Sequence, residues 1–127
     1  MENPYYKDNL ILKLTFEFAV DIIRFCEVLE ENKKYILGRQ LLKSGTSIGA
    51  NLREAQNCES KADFIHKTKI SAKEADETEY WLLLCHEVYK FKECRELLTK
   101  LTIITKIINK IIVTSKKKTE AKITLTN

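Results

Sequence analysis

The chain has 127 residues, enough for one domain whose core folds unaided and too few for a second, catalytic domain. Three Gly and one Pro are too few turn formers for a β-sandwich or for the loops of an α/β enzyme, which points to an all-α protein. The net charge of +4 is unevenly spread: residues 91–127 carry nine Lys/Arg against three Asp/Glu, whereas residues 1–60 and 61–90 are each slightly acidic.

The N-terminal residues lack the charged-then-apolar pattern of a signal peptide, and no uncharged apolar run approaches the roughly 18 residues of a membrane span. This reading expects a cytoplasmic protein with no membrane partner. Cys26, Cys58, Cys85 and Cys94 form no C-x-x-C pair, so reduced thiols are expected rather than a disulfide framework or a zinc site.

The first helix is predicted over residues 8–31, behind Pro4 and with Asp8 or Asn9 as cap. Leu10, Leu14, Phe18, Ile22, Phe25 and Leu29 share one face, and Leu12, Phe16, Ala19, Val20 and Ile23 widen the apolar arc past half the circumference. An outer helix of a monomeric bundle shows a stripe only somewhat wider than about 100°, so this helix is expected to be covered on more than one side.

The second helix, residues 35–57, places Leu37, Leu41, Ile48, Leu52 and Ala55 at core spacing. Gly45 and Gly49 interrupt it, at roughly 1 kcal/mol each relative to Ala, a cost tolerated where a neighbouring backbone must come close. Ser44, Ser47, Asn51 and Glu54 line one edge of the apolar face, placed for hydrogen bonds to a neighbouring helix.

Ser60 and Asp63 offer a cap and an acidic first turn for a third helix over residues 60–90. Its first half shows a narrow stripe of Phe64, Thr68, Ser71, Ala72, Ala75 and Thr78. From Tyr80 to Cys85, through Trp81 and Leu84, it is apolar in every direction, and Val88, Tyr89 and Phe91 continue this character.

The fourth helix is predicted over residues 92–115. Its Thr- and Ile-rich middle also suits a strand, but Leu97, Leu101, Ile104, Ile108 and Ile111 recur at helical steps. Ile103, Ile107 and Ile112 widen its apolar arc. Residues 1–115 then form an antiparallel up-down-up-down four-helix bundle, with 116–127 as a basic, flexible tail. The surplus apolar surface predicts a homo-oligomer with contacts at Phe16, Val20, Ile23, Trp81, Leu84, Ile103 and Ile107.

No catalytic motif is present. Asp63 and His66 give one incomplete half of a di-metal site, and His86 has Leu83 where an acid would stand. The acidic cluster of Glu74, Asp76, Glu77 and Glu79 reads as a solvated face with Lys69 and Lys73 at helical spacing. No enzyme activity and no cofactor are therefore expected. Lys100, Lys106, Lys110, Lys116, Lys117 and Lys118 are the candidate nucleic-acid contacts, set against a solvated helix end favoured by the helix dipole. No aromatic platform interleaves with them, so the expected contact is with a phosphate backbone rather than with bases.

Residues 40–55, with Ser44, Ser47, Ile48, Asn51 and Glu54, resemble the second-helix signature of the four-helix-bundle proteins encoded in 23S rRNA intervening sequences. Phe64 and residues 69–82, with Glu74, Glu77 and Glu79, resemble the third-helix motif of the same family; Ala55 stands where the family often has Gly. The resemblance implies a bundle that assembles as a ring-shaped homopentamer with a central channel. It also implies kinship with accessory proteins of diversity-generating retroelements, which bind nucleic acid and a reverse transcriptase. The function expected is a non-enzymatic, oligomeric nucleic-acid-binding accessory protein, or an adaptor that binds a protein partner.

Overall fold

A computed structural model describes residues 9–126, with side chains up to residue 121. Four helices follow in order, α1 (Leu10–Glu31), α2 (Tyr35–Ala55), α3 (Lys61–Tyr89) and α4 (Glu93–Thr126), and the described residues contain no strand. Asn9 caps α1, its side chain accepting from the Leu12 amide at 3.3 Å. Asp8, the other candidate cap, lies outside the described residues. Ser60 caps α3 by accepting from the Asp63 amide at 3.1 Å. This satisfies one of the amides that a helix start leaves without an intrahelical partner.

Two lysines turn the chain. Lys33 (φ 63°) stands in the α1–α2 link between Asn32 and Lys34, and Lys90 (φ 58°) closes α3 in the left-handed region, its amide donating to the His86 carbonyl at 3.0 Å. The residue that ends a helix this way is usually glycine.

α4 corrects the expected tail. The helix does not stop at Ser115 but continues through Thr126. Residues 116–121, Lys-Lys-Lys-Thr-Glu-Ala, contain no Gly or Pro, and most are good helix formers. Ser115 is buried, and the Thr119 hydroxyl donates to its carbonyl at 3.0 Å.

α1 packs on α2, α2 on α3, α3 on α4, and α4 returns to α1, while among the described residues the backbones of the two diagonal pairs do not come close. The enclosed core contains Phe18, Ile22, Leu29, Leu41, Ile48, Leu52, Leu82, Leu101, Ile104 and Ile108, all essentially inaccessible. The close neighbour implied by the α2 glycines is α1. A Cβ at Gly45 would stand 2.9 Å from both γ carbons of Ile22, and one at Gly49 would stand 3.1 Å from Thr15 Oγ1. Matched pairs rise in α1 as they fall in α2 (Thr15 with Gly49, Ile22 with Gly45) and fall in α2 as they rise in α3 (Glu54 with Lys67, Ile48 with Ser71, Ser44 with Thr78).

Up to Thr78, α3 buries hydroxyls beside the small Ala75: Thr68, Ser71 and Thr78 are fully buried. Ser71 donates to the Ile48 carbonyl at 2.7 Å, across to α2. Such short side chains let two helix backbones approach, and each hydroxyl needs a partner once water is excluded.

Candidate nucleic-acid interface

At 100° per residue, Lys106, Lys110 and Lys117 fall within about 40° of one another on α4, opposite the buried Leu101, Ile104 and Ile108. All three are exposed, and among the described residues no acid pairs with them. Glu120 is the only acid after Lys100. Lys116 and Lys118 are exposed as well. They stand on the two flanks of this line, about 100° from Lys117 on either side. α4 thus presents an outward lysine stripe rather than a scatter of charges.

Lys100 is different. Its ammonium donates to Asp21 Oδ2 at 2.7 Å and lies 3.4 Å from Glu96 Oε1. The hydrogen bond to Asp21 holds it protonated, above the usual lysine range. Two carboxylates already stand against this charge, and it ties α1 to α4.

Lys69 belongs to the basic surface although the sequence reading placed it with the acids of α3. It lies beside Lys116 on α4, and close contact with that second ammonium holds it below the usual lysine range. Two like charges brought together in water without a carboxylate between them form a local maximum of positive potential. The signal for this pair was hidden because it depends on the register between α3 and α4.

The second-helix motif divides in two. The Ser44 hydroxyl lies 2.9 Å from that of Thr78 on α3, and Glu54 Oε2 accepts from the Lys67 ammonium at 2.7 Å. Ser47 and Asn51 instead satisfy their own helix, donating to the Lys43 carbonyl at 2.6 Å and the Ser47 carbonyl at 2.8 Å. Of the third-helix acids, Glu74 is half-buried and its carboxyl is pushed up, mainly by burial and further by Glu77, against the pull of Lys43. Glu77 and Glu79 are exposed.

The candidate contact residues also divide. Phe16, Ile23, Leu84 and Ile103 are between 37% and 50% exposed. Val20, Trp81 and Ile107 are half-buried, and Trp81 and Ile107 pack against the core of their own chain. Tyr80 and Val88, at 57% and 64% exposure, stand more open than any of these and join Leu84 in a stripe at steps of four.

Cys26, Cys58, Cys85 and Cys94 are all free thiols. No group of three or more His, Cys, Asp or Glu among the described residues is placed to hold a metal ion. Among them, too, no helix is long and apolar enough to cross a membrane.

A family model described as 23S rRNA-intervening sequence protein matches residues 7–110. A crystal structure of a protein of unknown function from the S23 ribosomal protein family of Bacteroides thetaiotaomicron is similar in sequence and fold. Identity is 40%, the TM-score is 0.78, and the match covers 80% of this chain and 97% of that one. Comparison with curated proteins gives no match.

Proposed function

The chain belongs to the 23S rRNA-intervening sequence protein family, and from that premise we propose that it is a non-enzymatic, oligomeric accessory protein that binds RNA or DNA through the phosphate backbone. The observation that carries this reading is the exposed lysine stripe of Lys106, Lys110 and Lys117, extended by the Lys69–Lys116 pair and Lys118. Point charges on flexible stems suit phosphates spaced along a strand, and the absence of aromatic side chains from α4 leaves no stacking platform for bases. The reading includes an antiparallel up-down-up-down bundle, supported by the matched residue pairs between neighbouring helices. It also includes a ring, with five copies as the family resemblance implies, supported by the exposed Phe16, Ile23, Tyr80, Leu84, Val88 and Ile103. A ring would repeat the lysine stripe once per copy.

The test is fluorescence anisotropy with a structured RNA and a duplex DNA at low salt. The wild type binds both, and replacing Lys116, Lys117 and Lys118 by Gln weakens binding at least tenfold. No binding at low salt, or binding indifferent to the three replacements, sinks the proposal.

A second reading, an adaptor that holds a protein such as a reverse transcriptase, is favoured by one observation. From Glu74 to Tyr89 the chain has five carboxylates, no Lys or Arg, and an exposed apolar stripe. Co-purification that brings down nucleic acid and no second protein counts against it.

A further inference from the structure

Cys85 and Cys94 stand apart from the other two cysteines. Both are wholly inaccessible and belong to the same apolar core, Cys85 about one turn before the end of α3 and Cys94 at the second position of α4. Cys26 and Cys58 are half-buried, and each donates to a backbone carbonyl, Cys26 to Gly38 at 3.4 Å and Cys58 to Glu54 at 3.7 Å. The thiols of Cys85 and Cys94 have each other. Contact with Cys94, and then burial, hold the Cys85 thiol far above the usual cysteine range. Contact with Cys85 holds the Cys94 thiol below that range, against burial and the neighbouring Glu93. The pair shares its protons unequally: Cys85 is the donor, and Cys94 carries the thiolate character that sulfur nucleophiles need.

The turn between them fixes this meeting. Only Lys90, Phe91 and Lys92 separate α3 from α4. Lys90 reverses the chain in the left-handed region, and the Cys94 amide donates to the Phe91 carbonyl at 3.2 Å. The Phe91 ring meets Phe25 of α1 edge-on, with centroids 6.0 Å apart, and anchors the link to the core. A single buried cysteine is an ordinary small apolar residue. Two on adjoining helices whose sulfurs touch are also the two halves of a bond.

We propose that Cys85 and Cys94 form a redox pair, and that a peroxide joins them in a disulfide that staples the end of α3 to the start of α4. The Cys94 sulfur attacks one oxygen of hydrogen peroxide and the O–O bond breaks. Cys94 becomes a sulfenic acid, and the departing hydroxide takes up the proton that the thiol has given up and leaves as water. The Cys85 sulfur then displaces the sulfenic hydroxyl, which leaves with the Cys85 proton as a second water. Two thiols and one peroxide thus give one disulfide and two waters, the sulfurs being oxidised and the peroxide oxygens reduced. The second step admits no further reagent. The first does, and because neither thiol is exposed the oxidant must be small and enter as the helix ends beside the link part, where local opening is easiest. A dithiol reverses the bond by exchange.

The test exposes the full, folded chain to hydrogen peroxide and follows it by thiol titration, tryptic mass spectrometry and thermal melting. The four free thiols are expected to fall to two. The peptide of residues 74–90 should be recovered joined to that of residues 93–95, two hydrogens lighter than the separate peptides. The melting temperature should rise by roughly 5–10 °C, as closure of a short loop predicts, and dithiothreitol should reverse all three changes. Cys26→Ala should oxidise as the wild type does, whereas Cys94→Ala should form no disulfide within the chain. Linked peptides that hold Cys26 or Cys58 instead, thiols that survive in the folded chain and oxidise only in urea, or a link that lowers the melting temperature would each overturn the proposal.

Discussion

The hydroxyls of Ser44 on α2 and Thr78 on α3 meet at 2.9 Å in a fully buried layer of the core. Thr78 also reaches the Glu74 carbonyl at 2.7 Å, and Ser44 the Leu41 carbonyl at 3.5 Å. Each hydroxyl has one proton, and within this group each proton has an acceptor. Removing one hydroxyl takes one partner from the other in a dry site and leaves it only the carbonyl of its own helix. Ser44→Ala and Thr78→Val are each expected to lower stability by about 1–2 kcal/mol. The double variant should cost less than the sum, because it removes both polar groups together. Urea unfolding of the four proteins measures the coupling, and strict additivity would show that the pair does not act as a unit.

The close approach of α1 and α2 predicts an inverted response to a helix-favouring substitution. In a solvent-exposed helix Gly→Ala stabilises by roughly 1 kcal/mol. At Gly45 the new methyl would meet Ile22, which is branched at Cβ and fully buried, at 2.9 Å. Gly45→Ala is expected to destabilise by about 1–3 kcal/mol, as overpacked cores do. A rise in melting temperature would show that the two helices can separate without loss.

Cys26 supplies a pH dependence with a definite sign. Burial pushes its thiol up to about 11, and the thiol lies 3.4 Å from the Gly38 carbonyl, to which it donates. The folded state therefore keeps a proton that the unfolded state releases near pH 9. Its contribution to stability is complete below pH 9 and is lost as pH rises towards 11. Alkylation of Cys26 by iodoacetamide, followed by peptide mass spectrometry, should be slow at pH 7.5 and rise about tenfold per pH unit up to pH 10. A rate that levels off by pH 9 would contradict the raised value.

Much of the bundle was legible in residue periodicity. Leu10 to Leu29 and Leu97 to Ile111 repeat at helical steps, Ser60 announces the start of α3, and Gly45 and Gly49 announce a close neighbour without naming it. The features hidden from the sequence were tertiary or lay at a boundary. Lys100 looked like one more cation of a basic segment until the packing of α1 on α4 supplied Asp21. Lys69 looked like the partner of nearby acids at helical spacing until the register of α3 and α4 placed it beside Lys116. The three consecutive lysines after Ser115 suggested a solvated tail, yet nothing in Lys116 to Ala121 breaks a helix, and the buried Ser115 carries α4 onward. Which apolar residues stay exposed was equally hidden, because Trp81 and Val88 look alike in a run that is apolar on every side.

The salt dependence of nucleic-acid binding tests the lysine stripe most directly, with Lys100 as an internal control. Each lysine that neutralises a phosphate contributes about 0.9 to the slope of log affinity against log salt on duplex DNA. Replacing Lys106, Lys110 and Lys117 together by Gln is expected to reduce that slope by about 2–3, whereas Lys100→Gln, whose charge Asp21 and Glu96 already hold, should leave it almost unchanged. An unchanged slope in the triple variant, or an equal loss from Lys100→Gln alone, would contradict the assignment of α4 as the nucleic-acid-binding face.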